Sequence, residues 1–398
     1  MILDYNECQK IMDSFNNTAI KEVPPIGYTS NEKLPIRHFT LGTGKNSIVV
    51  VGAQHANEII TVSFVLNLMN FLVKNNISFE NLTIHFIPIL NPEGYLINTS
   101  AIRSIINKDA SNKEVEKFSY EFYKCFRSDS INGDNEIKLH QLLFENTDQK
   151  SIEPKYYILR DKVSDILSNH PKGSIIDWAS NGNGIDLNSN SKQRIVKPLE
   201  YNKQAAYNNI RIDIPSPIGH PGNNQDKDFT SEIEVVSLKN LLEELKDSSY
   251  GLLNYHSIGG MIYQRPESNN RFITIYNYLL SKYYQEYTIK NNGTYNIIKN
   301  KDGKVISVND NLRITYPGNL LIELSPMMGN PIGPFGDQNN YNTTIEGNIQ
   351  AFIYTMSNLD KVLMTTKTIL KNNSNTDISY DQLDEIYQKN KRSHKWSF

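Results

Sequence analysis

Ile48-Val49-Val50-Val51-Gly52-Ala53-Gln54-His55-Ala56-Asn57-Glu58 is the stretch on which the reading of this chain turns. Ile48 to Val51 is apolar at every position. That is the mark of a central strand covered by helices on both faces, not of a strand with one wet face. Beyond it, Thr61 to Lys74 carries a strong helical pattern. Between strand and helix stand a His and a carboxylate three residues apart. At the exit of a buried strand both can turn toward one metal ion. Zinc accepts imidazole nitrogen and carboxylate oxygen, and a catalytic zinc takes three protein ligands plus water. His-x-x-Glu alone is a weak signal, so its weight depends on what the other strand ends supply.

The same grammar continues outward. Residues 4 to 15 predict a short helix with Tyr5, Cys8, Ile11 and Met12 on one face, and Pro24-Pro25-Ile26-Gly27 predicts a break. Arg37 to Leu41 reads as a strand before a turn at Gly42 to Asn46. Leu82 to Leu90 reads as another, closed by a shaped turn at Asn91-Pro92-Glu93-Gly94 in which Glu93 is not catalytic. Residues 107 to 172 are polar and charge-rich, with helical stretches at 114–126 and 155–168, and read as an insertion beside the sheet. Gly184 to Asn188 predicts a short strand, Ser231 to Leu245 a helix, Gly251 to Tyr255 and Leu320 to Leu324 strands, and Ile345 to Leu359 a helix that closes the core. Strands alternating with helices imply an α/β fold, a three-layer αβα sandwich with a mixed, mostly parallel central sheet. The expected division is one domain over 1–360, interrupted by the insertion, and a polar extension over 361–398 with a helical patch near Tyr380 to Tyr387.

Composition removes other classes. A formal net charge of -2 over 398 residues argues against a dedicated nucleic-acid binder. No apolar run approaches the roughly 18 residues of a membrane span, so no membrane partner is expected. Met1-Ile2-Leu3-Asp4-Tyr5 lacks the charged-then-apolar layout of a secretory signal. The two cysteines, Cys8 and Cys125, are too far apart in sequence to suggest a disulfide framework. A reducing cytoplasm is the expectation, with secretion left open should the chain be a trimmed piece. Nothing in the sequence fixes the oligomeric state.

In sheets of this kind, sites form beyond the carboxyl ends of the strands. His55 and Glu58 follow one strand, Asn91 a second, Asn188 a third, and His256 follows Gly251 to Tyr255. Glu323 ends Leu320-Leu321-Ile322. These ends can bring two His and two Glu together. His38, His85, His140 and His170 read as surface or satisfied core residues. Asp186 reads as structural, tying its loop by backbone hydrogen bonds or backing a metal ligand.

Five segments, in this order, resemble the zinc carboxypeptidase family: Gly52 to Glu58, Asn91-Pro92-Glu93-Gly94-Tyr95, Gly184-Ile185-Asp186-Leu187-Asn188, Tyr255-His256-Ser257 and Leu321-Ile322-Glu323-Leu324. The resemblance implies one zinc ion held by His55, Glu58 and His256. It implies Glu323 as the general base that takes a proton from the attacking water and passes it to the leaving amine. It implies that Asn188 contacts the substrate's terminal carboxylate or a nearby polar group. Tyr295 corresponds to the family's mobile substrate-contacting tyrosine, with Tyr287 and Tyr316 competing.

The departures bear on substrate. Ser189 occupies the substrate-binding position where the family carries an arginine, and serine cannot replace a planar bidentate fork. Arg103 and Arg194 are the candidates for the oxyanion-supporting arginine. Trp178-Ala179-Ser180-Asn181 and Gly259-Gly260-Met261-Ile262-Tyr263 are similar to segments of bacterial branches that cut cell-wall (peptidoglycan) peptides at γ-D-glutamyl–diaminopimelate bonds. The expected function is zinc-dependent hydrolysis of an amide bond near the carboxyl end of a peptide or muropeptide. One rival is an ordinary L-amino-acid carboxypeptidase in which Arg265 or Arg271 replaces the missing clamp. The other is a zinc-containing, peptide-binding pseudoenzyme, which Glu323 opposes because pure binding needs no base.

Overall fold

The apolar run at 48–51 lies in the middle of a sheet. The computed structural model describes residues 3–106, 148–170, 175–188, 190, 214–217, 232–257, 259–264, 270–290, 296–297, 317–324, 338–373 and 378–392. Among these, the strands are β1 (Lys21–Tyr28), β2 (Pro35–Leu41), β3 (Asn46–Val51), β4 (Leu82–Ile87), β5 (Ser249–Ser257), β6 (Met261–Gln264), β7 (Asn296–Ile297) and β8 (Asn319–Leu324). They form one sheet in the order β1-β2-β4-β3-β5-β8-β6-β7. The centre, β4-β3-β5-β8, is parallel throughout. Antiparallel pairs flank it, β2 on β4 with β1 beyond, and β6 on β8.

The helices are α1 (Tyr5–Asp13), α2 (Ile59–Lys74), α3 (Pro92–Ile105), α4 (Tyr157–Ser168), α5 (Ile233–Glu244), α6 (Arg271–Lys290), α7 (Gln338–Ser357), α8 (Leu359–Asn372) and α9 (Tyr380–Arg392). Successive side chains of a strand point to opposite faces, and β3 shows why it tolerates no polar residue there. Ile48 and Val50 join the larger core with α2, α6 and α7, whereas Val49 and Val51 join a smaller one with Val235, Leu238 and Leu242 of α5. This is the three-layer αβα sandwich with a mixed, mostly parallel sheet that the alternation implied.

Three local readings are corrected. Pro24-Pro25-Ile26-Gly27 does not break the chain but lies in β1, with a register shift between Val23 and Gly27. β1 is an edge strand, where a proline's missing N–H costs no ladder bond. Asn91 to Gly94 is not a free turn but the start of α3. Asn91 caps it by accepting from the Gly94 N–H (3.0 Å), and Pro92 takes the first helical position, where its missing N–H is no loss. Gly184 to Asn188 is not a strand. Ile185 and Leu187 alternate as a strand would, but the backbone bonds of this segment are local or to the neighbouring segment. Asn181 Oδ1 accepts from Ile185 N–H (3.1 Å), and Gly184 O accepts from Ser216 N–H (3.0 Å). Of the insertion, helix α4 is present, and residues 107–147, 171 and 172 lie outside the described residues. Beyond residue 360 the chain folds back. α8 and α9 pack on α6, and Val362, Leu363, Ile369, Leu383 and Tyr387 are buried in the larger core.

Candidate metal centre

The link from β3 to α2 is built to leave the strand abruptly. Ala53 adopts a left-handed backbone (φ 47°), which costs a residue with a Cβ roughly 1–2 kcal/mol. The surroundings hold it there. Its N–H donates to Thr61 Oγ1 (2.9 Å), its carbonyl accepts from Asn91 N–H (3.1 Å), and the Thr61 hydroxyl donates to Glu58 O (2.7 Å). Farther along, Ala56 N–H donates to Ala179 O (3.0 Å), and Asn91 Nδ2 donates to both Gln54 O (3.3 Å) and Ser180 O (3.1 Å). The loop at 53–58 is thereby stitched to the segment at 178–188. That segment packs against the start of α3 through Gly182, where an added Cβ would come within 2.2 Å of Glu93 Oε2. Glu93 is itself a structural anchor, accepting from the N–H groups of Asn31 (3.0 Å) and Glu32 (2.7 Å).

On this frame His55, Glu58 and His256 converge, with one ligand atom from each lying within 4.8 Å of the others. Glu58 Oε1 is 2.8 Å from His55 Nδ1, and Glu58 Oε2 is 3.2 Å from His256 Nδ1. The two imidazoles meet edge to face at 4.9 Å. Their outer nitrogens turn away from the cluster toward acceptors. His55 Nε2 faces Asp186 Oδ1 (3.2 Å), and His256 Nε2 faces Gln54 Oε1 (3.0 Å). Metal-binding histidines are held in this way, with the distal N–H anchored so that the other nitrogen presents its lone pair.

The electrostatics call for a cation. Burial pushes the Glu58 carboxyl up, but His55 and His256 outweigh burial and hold it down at about 2. Burial pushes both imidazoles down, yet Glu58, joined at His55 by Asp186, outweighs that and raises them. Positive charge drawn to a buried carboxylate can be supplied by protons or by a metal ion. Two imidazoles and a carboxylate are a donor set that suits zinc, so the residues present fit a single zinc ion.

Glu323 stands directly beside His256 in the β5–β8 register and beside Met261 across β6. It is half-buried, its Oε2 has no hydrogen-bond partner among the described residues, and burial together with Glu58 pushes its carboxyl up to about 8. Asn188 is buried beside Asp186, whose Oδ1 accepts from the Asn188 N–H (2.8 Å) as well as facing His55. Asn188 Oδ1 is left without a partner among the described residues. Asp186 thus ties its loop through a backbone hydrogen bond, as foreseen, and also faces the His55 ring. Ser189 and Tyr295, together with Arg194, Arg265 and Tyr316, lie outside the described residues. Arg103 is held elsewhere, by Glu7 (2.8 Å) and Asp4 (3.7 Å) near α1, and Arg271 donates to Asn373 O (2.7 Å).

Two residues at the centre escaped the sequence reading. Gln54 and Asn254 are buried, and Asn254 Nδ2 donates to the same Gln54 Oε1 that faces His256 (2.5 Å). The signal was there in Asn254, a polar residue inside the apolar strand Leu252-Leu253-Asn254-Tyr255, because a buried amide in a central strand must have partners.

A family model described as zinc carboxypeptidase matches residues 7–359. Among solved structures, bovine thrombin-activatable fibrinolysis inhibitor in complex with tick carboxypeptidase inhibitor is similar at 14% identity. The alignment covers 91% of this chain and 98% of that one, with a TM-score of 0.50. Carboxypeptidase A from Helicoverpa armigera is similar at 14% identity over 92% of this chain and 74% of that one, with a TM-score of 0.51. At such identities the likeness establishes the fold. No curated protein matches the chain.

Proposed function

The chain belongs to the zinc carboxypeptidase family, and from that premise we propose that its substrate is a wall-derived muropeptide, cut at the γ-D-glutamyl–diaminopimelate bond. The observation that carries the substrate reading is Ser189, which stands where the family's arginine would grip an ordinary C-terminal carboxylate. Of the two arginines that could replace the clamp, Arg271 is engaged with Asn373 O, and Arg265 lies outside the described residues. The similarity of Trp178 to Asn181 to the wall-cutting branches supports the same reading. Cysteine usage, with Cys8 a free buried thiol, is in keeping with a reducing cytoplasm.

In this reading His55, Glu58 and His256 hold the zinc ion. When bound, zinc supplies a Lewis acid that polarises the scissile carbonyl and acidifies water, and its charge favours the ionised form of Glu323. Glu323 accepts the proton of the attacking water and returns it to the leaving amine. Its place beside His256, with Oε2 unpartnered among the described residues, keeps one oxygen available for that task. Asn188, whose Oδ1 has no partner among the described residues, faces the substrate, and Ser189 and Tyr295 complete the substrate-binding set. Asp186 fixes the His55 ring and the Asn188 backbone together, so ligand and substrate contact move as one unit.

The test is a mass-spectrometric digest of L-Ala-γ-D-Glu-diaminopimelate and of a blocked dipeptide of ordinary L-residues by the zinc-loaded protein. Release of diaminopimelate alone is the expected result. Release of the ordinary C-terminal residue would replace this reading with the plain carboxypeptidase. Cleavage of neither would favour the pseudoenzyme.

A further inference from the structure

We propose that Gln54 is a positioning residue that sets how tightly His256 serves as a metal ligand, with Asn254 as its anchor. The inference rests on the ligand set proposed above and concerns what stands behind it. An imidazole that offers Nδ1 to a metal carries its proton on Nε2, and that N–H needs an acceptor. The two histidines have different ones. His55 Nε2 faces a carboxylate, Asp186, at 3.2 Å, whereas His256 Nε2 faces a neutral amide oxygen, Gln54 Oε1, at 3.0 Å. That same oxygen accepts from Asn254 Nδ2 at 2.5 Å. Gln54, Asn254 and His256 are each at most 1% exposed, so water does not substitute for these partners. One strand exit thus supplies a ligand, His55, and beside it in sequence the group that orients the ligand from β5.

An amide differs from a carboxylate in having two unlike ends that fill nearly the same space. Gln54 Nε2 and Asn254 Oδ1 have no partners among the described residues. Turning both amides over exchanges their ends without loss of their mutual hydrogen bond. Gln54 would then donate to His256 Nε2, and the imidazole proton would move to Nδ1, facing Glu58 Oε2 at 3.2 Å. The pair therefore has two self-consistent arrangements with opposite tautomers of His256. Only the one with Oε1 toward the ring leaves Nδ1 free for a metal. Asp186 offers His55 no such alternative. Gln54 makes the His256 side of the site the adjustable one, so that metal binding selects an amide orientation.

The experiment is the zinc dissociation constant, measured by chelator competition, for the wild type, Gln54→Leu, Gln54→Glu and His256→Ala. The thermal midpoint of each metal-free protein is measured alongside. Gln54→Leu removes the acceptor and is expected to weaken zinc binding by about 10- to 100-fold, the usual cost of losing a partner behind a ligand. Gln54→Glu keeps an acceptor for both His256 and Asn254, locks the metal-binding tautomer, and is expected to bind at least as tightly as the wild type. A residue with a merely structural role would lower the midpoint in both variants without this opposite ordering of affinities. Wild-type affinity in Gln54→Leu, or Gln54→Glu as weak as Gln54→Leu, would overturn the proposal. If those results came with His256→Ala losing zinc, the ligand reading would survive. If His256→Ala bound zinc as the wild type does, the ligand reading would fall too.

Discussion

Glu323 and His256 occupy one rung of the sheet, and in the proposed reading this adjacency separates holding a metal from using it. Glu323→Gln keeps the shape and removes the proposed base. It is expected to retain zinc and to lose turnover by about 10²- to 10⁴-fold, the typical share of general-base catalysis. A fully active variant would sink the assignment. Asp186→Asn leaves an acceptor oxygen for His55 Nε2 but takes away its charge, so zinc should bind about 10-fold more weakly or worse. Unchanged affinity in equilibrium dialysis would show that the carboxylate does nothing for the ligand. The convergence of these residues was legible in the sequence, because His55, Glu58, His256 and Glu323 announce themselves by residue type and by their place at strand ends. Gln54 and Asn254 did not. An amide written in a sequence carries no mark of burial, and nothing local says that residues 200 positions apart share one hydrogen bond.

At the scale of elements, the central strands were readable because burial on both faces leaves only apolar residues to choose from. The errors fell where one signal had two physical causes. Pro24-Pro25 is tolerated on an edge strand as well as in a break, Asn91-Pro92 caps a helix as readily as it makes a turn, and the alternation of Ile185 and Leu187 serves a buried loop. β2 and β4 carry a further consequence. His38 Nε2 and His85 Nδ1 are 2.9 Å apart, in stacked rings, within the sheet. Burial lowers both to about 4, with His85 adding to the effect on His38. Above pH about 6.5, the unfolded value, both are neutral whether folded or not, and their contribution to stability is fully present. As pH falls from there toward 4, the unfolded chain takes up protons that the folded one refuses, and stability is lost. The thermal midpoint should therefore drop across this window. His38→Val/His85→Val should flatten the drop relative to the wild type, and equal slopes would contradict the account.

At the scale of the molecule, the chain past residue 358 is part of the main body, since α8 and α9 cover α6. Each of Val362, Leu363, Ile369 and Leu383 is worth roughly 1.5–3 kcal/mol when buried. Together they rival the whole net stability of an ordinary domain. A chain ending at residue 358 is expected to be insoluble or to lack a cooperative thermal transition, and an unchanged midpoint would show the two helices to be dispensable. Among the described residues no helix is long and apolar enough to cross a membrane. The fold places the ends of β3, β5 and β8 together, and the account stands on what those ends hold. Diffraction from zinc-soaked crystals, recorded on either side of the zinc absorption edge, tests it most directly. One anomalous peak bounded by His55 Nδ1, Glu58 and His256 Nδ1, with Glu323 beside it, is the predicted result. An anomalous map with no peak there, or with its strongest peak elsewhere, would contradict the assignment.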